Sequence, residues 1–247
     1  MKTILITGCS SGFGLEIARS FLERPDWTVV ATMRTPREDV LPASDRLRVL
    51  SLDVTDAESI RGAIKAAGPI DVLVNNAGIG FINALEGTPI ATVRDVFETN
   101  VFGTMAVTQA VLPQFRACRS GVVINVSSSV TLLPLPLLSV YTASKAAVNA
   151  FSEVLALELE QFGVRVRVVL PGRAPATAFG DNARSRMQAG FPEPYAKLAQ
   201  AVFANFQQEG PITHAADVVE AVWRAATDPS CPMRLAAGAD AAALMAA

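Results

Sequence analysis

The sequence predicts an α/β protein, a doubly wound parallel sheet with helices on both faces, forming a three-layer αβα sandwich in a single domain. Short apolar runs alternate with amphipathic stretches of about 10–20 residues along nearly the whole chain, the pattern of repeated βα units. The first apolar run opens directly into a glycine-rich turn and a helix. Polar turn motifs recur where the apolar runs end, and ligands of such sheets bind beyond the carboxyl ends of the strands.

Taken in order, Lys2 to Thr7 reads as a strand, followed by Gly8-Cys9-Ser10-Ser11-Gly12-Phe13-Gly14 and a helix to about Glu23 with Ile17, Ala18, Phe21 and Leu22 inward. Trp27–Thr32 and Leu47–Leu52 are the next strands. Ala57–Ala67 is a helix and Asp71–Val74 a strand ending at Asn75-Asn76-Ala77-Gly78. Pro89 to about Ala117 reads as helical, with a bend expected at Pro113, where the ring removes a hydrogen bond. Val122–Val126 is a buried strand. Ser127-Ser128-Ser129 and the proline-punctuated loop Leu132–Leu138 then turn the chain back. The helix Tyr141–Glu160 follows, with Ala146, Ala147, Ala150, Val154, Leu155 and Leu157 available for its apolar side. Strand Val164–Leu170 ends at Pro171-Gly172. Phe179 to Pro211 starts without a clean period, Thr213 is placed to cap a helix over Ala215–Thr227, and Arg234–Ala237 is a last strand. No internal repeat or linker divides residues 1–247.

Composition narrows the function classes. Hydrophobic residues make up 51% and the formal net charge is −2, with lysines and arginines scattered rather than clustered. That pattern offers neither a nucleic-acid surface nor a polybasic membrane patch. The start reaches Gly8 too soon for a signal-peptide core, and no uninterrupted apolar run approaches the ~20 residues of a membrane span. Cys9, Cys118 and Cys231 lack metal-ligand spacing, and His214 is the single histidine. Reduced thiols in a cytoplasmic protein are the expectation, without a metal site and with His214 as surface decoration.

The chemistry centres on one stretch. Tyr141 and Lys145 are four residues apart, so a helix projects both from one face. A cation beside a phenol favours the phenolate and should lower its pKa from about 10, toward proton exchange with a substrate alcohol. Ser128, at the preceding strand end, can hold the same substrate oxygen. Tyr-x-x-x-Lys also arises by chance on any helix, so its weight comes from the rest of the chain. Gly8, Gly12 and Gly14 form a strand-to-helix turn that either cradles a phosphate at the helix N-terminus or is purely structural, with Ser10, Ser11 and Phe13 between them. Arg34, twenty residues after Gly14, stands where an NAD site usually has an acid. A guanidinium there suits a 2′-phosphate, so NADP(H) is expected over NAD(H); otherwise Arg34 is a solvated loop charge. Asp53, before Val54, either reads an adenine edge or caps the next helix. Asn100 lies among Val93, Val96, Phe97, Val101 and Met105, and is either structural or holds a water near the tyrosine–lysine pair.

These motifs, in this order, resemble the short-chain dehydrogenase/reductase family: Thr7-Gly8-x-x-x-Gly12-x-Gly14, Asp53-Val54, Asn75-Asn76-Ala77-Gly78, Asn100, Ser128, Tyr141-x-x-x-Lys145 and Pro171-Gly172. Ala31-Thr32-Met33-Arg34 and Glu98-Thr99-Asn100-Val101-Phe102-Gly103-Thr104 are similar to members near the 17β-hydroxysteroid and retinol dehydrogenases and many bacterial relatives. The resemblance implies a Rossmann-type domain passing hydride between a nicotinamide and a carbonyl or alcohol carbon. Tyr141 would be the acid/base, Ser128 would hold the substrate oxygen, and Lys145 would bind the nicotinamide ribose. Asn100 would maintain a water, and Asn76, Ala77, Gly78, Pro171 and Gly172 would line the cofactor.

Relatives place a threonine five residues after the Pro171 position. Here Thr177 comes six residues after it, with an extra proline between. The resemblance also implies a substrate lid at about 178–212 and a homodimer or homotetramer built through two long helices. Phe81, Ile82, the leucines from Leu132 to Leu138, Phe179, Met187 and Phe191 are candidates for an apolar wall facing a small-molecule substrate, a hydrophobic ketone or secondary alcohol. Two other readings stand beside this one: an epimerase or dehydratase of the same family, and a nicotinamide-binding sensor without catalysis.

Overall fold

β-Branched and apolar runs with both faces covered make central strands of a parallel sheet. Here they are Lys2–Ile6 (β1), Trp27–Met33 (β2), Leu47–Ser51 (β3), Val72–Asn75 (β4), Gly121–Val126 (β5), Val164–Pro171 (β6) and Arg234–Ala237 (β7). In the computed structural model, which describes residues 1–177, Ala183, 190–207 and 210–247, they form one parallel sheet in the order β3-β2-β1-β4-β5-β6-β7. The expected doubly wound α/β class holds. The order reverses between β1 and β4, whose register pairs Ile6 with Val74, so the turns following these two strands lie side by side at the switch point. The predicted lid residues 178–182, 184–189 and 208–209, Phe179 and Met187 among them, lie outside the described residues.

Gly12–Leu22 (α1) packs on one face beside Ala215–Thr227 (α7), burying Ile17, Phe21, Val218 and Val222 against Ile4, Ile6 and Val29. Ala57–Ala67 (α2), Gly103–Cys118 (α4) and Ser139–Glu160 (α5) cover the other face around Leu5, Leu73, Val107, Phe115 and Val123. Ile90–Phe97 (α3) precedes α4, Ala196–Gln207 (α6) follows the Pro171-Gly172 loop, and Ala239–Ala246 (α8) ends the chain. None of the helices among the described residues is long and apolar enough to cross a membrane.

Four local expectations need correction. The helix from Pro89 to Ala117 is interrupted by a π-helical turn over Glu98–Phe102, between α3 and α4. Pro113 lies inside α4, so the departure from regular helix falls fifteen residues earlier than the proline that was expected to cause it. In α5 the buried stripe is polar near the site: Tyr141, Ser144, Lys145, Val148, Asn149 and Ser152 are inward, while Val154 and Leu157 are 57% and 73% exposed. Of the residues expected inward, Leu155 is buried, but apolarity did not mark the rest of that side, because inward positions at the helix start carry chemistry instead of packing. Asp53 does not cap α2. Asp56 does, its carboxylate accepting from Glu58 N and Ser59 N at 2.7 and 2.8 Å. His214 occupies the N-cap of α7 in place of Thr213, and the Asp217 carboxylate accepts its backbone N–H at 2.7 Å.

Candidate active site

The glycine turn has the shape of an anion cradle. Gly8 and Gly12 adopt φ of +75° and +60°, conformations that L side chains rarely take. A Cβ on Gly14 would overlap Gly8 O and the Asn76 amide, so the turn folds only with glycine there. Ser11 is the N-cap of α1 and makes no side-chain cap bond, so its hydroxyl leaves the first-turn amides open to a ligand. Ser10 and Ser11 are exposed beside those amides, and Phe13 is half-buried against the core. Asn76 ties this turn to the end of β4, donating to Thr7 O and Gly8 O at 2.9 and 3.2 Å. The Thr7 hydroxyl in turn accepts from Asn76 N and Ala77 N at 3.0 and 2.9 Å. Thr177 lies near the same turn: a Cβ on Gly12 would meet its Cβ at 4.0 Å.

At the end of β2, Arg34 is exposed, and its carbonyl accepts the Ser51 hydroxyl at 3.0 Å. The Asp53 carboxylate accepts from Thr55 N and Thr55 Oγ1 at 2.9 and 2.8 Å. Those bonds, then the charge of Arg34, hold its pKa below the ordinary value against the opposing effect of burial. Val54 packs where a Cβ on Gly103 would crowd it, fixing the start of α4 against this strand end.

The reacting groups lie beyond β5. Ser128 begins a short turn, its hydroxyl accepting from Val130 N at 3.3 Å and hydrogen-bonding the Tyr141 phenol. Tyr141 and Lys145 are both nearly inaccessible. Lys145 Nζ donates to Val126 O at 3.0 Å and lies 5.9 Å from the centroid of the Tyr141 ring. Burial lowers the lysine pKa to about 8 and raises that of the phenol, which the Ser128 bond opposes. The depression of the tyrosine pKa expected from Lys145 is therefore not what this geometry yields, because burial of the phenol itself is the larger effect and raises it.

Asn100, in the π turn, converges on the same place. A Cβ on Gly78 would sit 3.2 Å from Asn100 Oδ1 and 3.5 Å from Lys145 Nζ. Asn100 Oδ1 accepts Ile79 N at 2.8 Å, while Nδ2 donates to Ile79 O and Ser144 Oγ at 2.9 and 3.1 Å. Both amide donors are engaged, which is the structural half of the expectation for this residue. Pro171 ends β6 and Gly172 follows it.

Sequence reasoning missed Ser144, which donates to Tyr141 O at 2.7 Å and so locks the tyrosine turn to Asn100. It also missed Asn149 and Thr131. Asn149 Nδ2 donates to Thr131 Oγ1 at 3.0 Å, and Thr131 Oγ1 donates to Ser128 O at 2.9 Å. The signal available was spacing, since Ser144 and Asn149 share the inward stripe of Tyr141 and Lys145.

Comparison with known proteins agrees with this architecture. Human retinol dehydrogenase 8 is 40% identical over 181 residues, which cover 69% of this chain. This match spans 58% of that protein's own length. The crystal structure of a short-chain dehydrogenase from Streptomyces avermitilis superposes with a TM-score of 0.84 at 38% identity, covering 99% of this chain and 90% of that one. The closed form of a serine dehydrogenase complexed with NADP+ superposes with a TM-score of 0.80 at 30% identity, covering 96% and 94%. The profile of the short chain dehydrogenase family matches residues 2–188, a span holding the glycine turn, Asn100, Ser128, Tyr141 and Lys145 together, and this chain belongs to that family.

Proposed function

We propose that this protein is an oxidoreductase passing hydride between NADP(H) and the carbonyl or secondary-alcohol carbon of an apolar substrate, with Tyr141 as general acid/base. The observation that carries the reading is the joining of Ser128 to the Tyr141 phenol with Lys145 on the same buried helix face. NADP(H), when bound, supplies or accepts the hydride. Gly8, Ser10, Ser11, Gly12, Phe13 and Gly14 would hold its pyrophosphate at the open amides of α1, and Thr177 faces that turn. Arg34 would meet the 2′-phosphate, and Asp53 and Val54 the adenine edge. Asn76, Ala77, Gly78, Pro171 and Gly172 would line the route to the nicotinamide. The NADP+ complex of a structural relative supports a nicotinamide cofactor, and Arg34 supports the phosphorylated form.

In reduction, the Ser128 hydroxyl meets the substrate oxygen and the phenol gives it a proton. Burial keeps that phenol protonated until transfer. The Lys145 ammonium then opposes the charge left on Tyr141, an electrostatic stabilisation strongest where water is excluded. Asn100 keeps this geometry by bonding Ile79 to Ser144, and its remaining Oδ1 lone pair can accept from a water. An apolar substrate is supported by the cluster of Ile82, Ala84, Leu137, Leu138, Phe191 and Phe203 between the post-β4 loop, the leucine loop and α6. Phe81 packs elsewhere, against Val96 and Val140. A subunit interface is supported by the apolar cavity of about 390 Å³ between α4 and α5.

The test is NADPH oxidation against steroid, retinoid, aryl and aliphatic carbonyls, with Tyr141→Phe in parallel. Removing the acid should lower kcat about 10²–10⁴-fold while NADPH binding measured by fluorescence persists. Undiminished turnover in Tyr141→Phe would refute the assignment.

A further inference from the structure

The last helix reaches back to the turn that leaves β6. Arg173 N donates to the Asp240 carboxylate at 2.6 Å, and Gly172 N donates to Thr213 Oγ1 at 2.8 Å. Thr213 N donates to Arg173 O at 2.8 Å. The Thr213 hydroxyl stands between the two segments, 2.7 Å from Ala237 O and 2.8 Å from Asp240 Oδ1, and Thr213 is 2% exposed. Three main-chain groups of one turn are thus held by residues 41 and 67 positions away. The fit leaves no slack. A Cβ on Gly172 would overlap the Asp240 carboxylate, and a Cβ on Gly238 would overlap the Thr213 hydroxyl.

Two further contacts make this clamp more than a tie at the chain end. Helix α8 also packs against the Ser129–Thr131 turn that follows Ser128. The Arg173 guanidinium donates to Phe206 O at 2.7 Å, near the end of α6. One short C-terminal segment therefore touches both turns that flank the reacting groups, and the clamped turn itself holds the end of the helix covering the apolar cluster.

We propose that Asp240 and Thr213 are positioning residues for the cofactor: the carboxylate on α8, working with the buried hydroxyl, sets the backbone of Gly172–Arg173 against which the nicotinamide end of the dinucleotide lies. This rests on the functional reading above. A carboxylate is suited to the task because it accepts the Arg173 amide and shares the single Thr213 hydroxyl proton with Ala237 O, and ionised acceptors make roughly twofold stronger bonds than neutral ones. The nicotinamide end is common to NADPH and NADH. Loss of the clamp therefore weakens both dinucleotides by one factor, in contrast to a change at Arg34, which touches only the phosphorylated form.

The experiment measures Kd for NADPH and for NADH by fluorescence on wild type, Asp240→Asn, Thr213→Val and Thr213→Ser, with hydrogen exchange of the Gly172–Arg173 amides in the same proteins. Asp240→Asn and Thr213→Val should weaken both dinucleotides about tenfold, the effect of losing one charge-assisted or buried hydrogen bond, and should speed exchange at the two amides. Thr213→Ser, which keeps the hydroxyl, should restore wild-type affinity. Kd belongs to folded molecules, so a merely destabilised variant shows a smaller binding fraction at an unchanged Kd. That result, or unchanged exchange, overturns the clamp while leaving the functional reading intact. Wild-type protein that binds neither dinucleotide overturns the functional reading, and the clamp's purpose with it.

Discussion

Lys145 is the residue at which burial and chemistry conflict most directly. It is 5% exposed, and its ammonium is bonded to Val126 O. Its folded pKa of about 8 lies below the ordinary 10.5, so the unfolded chain holds the proton more tightly. The contribution of this group to stability then rises with pH through the window from about 8 to 10.5. At neutral pH the buried charge costs about 3 kcal/mol, and at pH 9.5 roughly half of that remains. Lys145→Met removes the charge, so its stability relative to wild type should be about 2 kcal/mol less favourable at pH 9.5 than at pH 7. Urea unfolding of both proteins at the two pH values measures this. Unfolded tyrosine and cysteine ionise in part by about pH 9.5, but Tyr141 and Cys9, whose pKa values burial raises, are present in both proteins, so their effect cancels in the difference. An equal difference at both pH values would mean that Lys145 is not desolvated. Arg34 is the opposite kind of residue, exposed and free of burial cost. Arg34→Asp should shift the ratio of kcat/KM for NADPH over NADH about ten- to hundredfold toward NADH, matching the loss of a charge-assisted hydrogen bond. An unaltered ratio would remove the 2′-phosphate from this position.

At the scale of elements, the order of strands and helices was legible because each strand of a covered parallel sheet is an apolar run with a turn motif at its end. Ala57–Ala67, Ala215–Thr227 and Arg234–Ala237 match the expected bounds. The glycine turn was legible for the same local reason, since its shape depends on residues that lack a Cβ. The π turn at Glu98–Phe102 was not. No glycine or proline lies within it, Gly103 at its end reads as part of an ordinary helix, and its role comes from Asn100 bonding to Ile79, a partner contributed by the loop after β4. The inward face of α5 failed for a related reason. Ser144, Asn149 and Ser152 are buried because distant Asn100, Thr131 and Asn125 receive or donate their hydrogen bonds. Buried polar positions look like surface in a periodicity and become visible only when their partners are known. Thr213 illustrates the same limit: it has the chemistry of a helix cap, yet its hydroxyl meets Gly172, Ala237 and Asp240.

For the whole molecule, the misread side of α5 is itself informative. Phe102 is 53% exposed and Val154 57%, beside a cavity lined by Phe102, Met105, Leu112, Phe151 and Leu155. A helix face of this kind gains by covering its apolar surface, and closed two-fold assemblies are the commonest way for identical chains to do so. In such an assembly each residue of the face occurs twice. Val154→Glu would then place two carboxylates in the interface and forfeit two buried valines, each worth about 1.5 kcal/mol or more. Because Val154 is exposed within the chain, the monomer fold should tolerate the change. Sedimentation equilibrium should show wild type as a dimer or larger and Val154→Glu with a dissociation constant raised about a hundredfold or more, at an unaltered circular dichroism spectrum. A wild-type chain that sediments as a monomer at micromolar concentration would leave the α4–α5 face open to water and overturn the proposed interface, without touching the hydride-transfer site on the other side of α5.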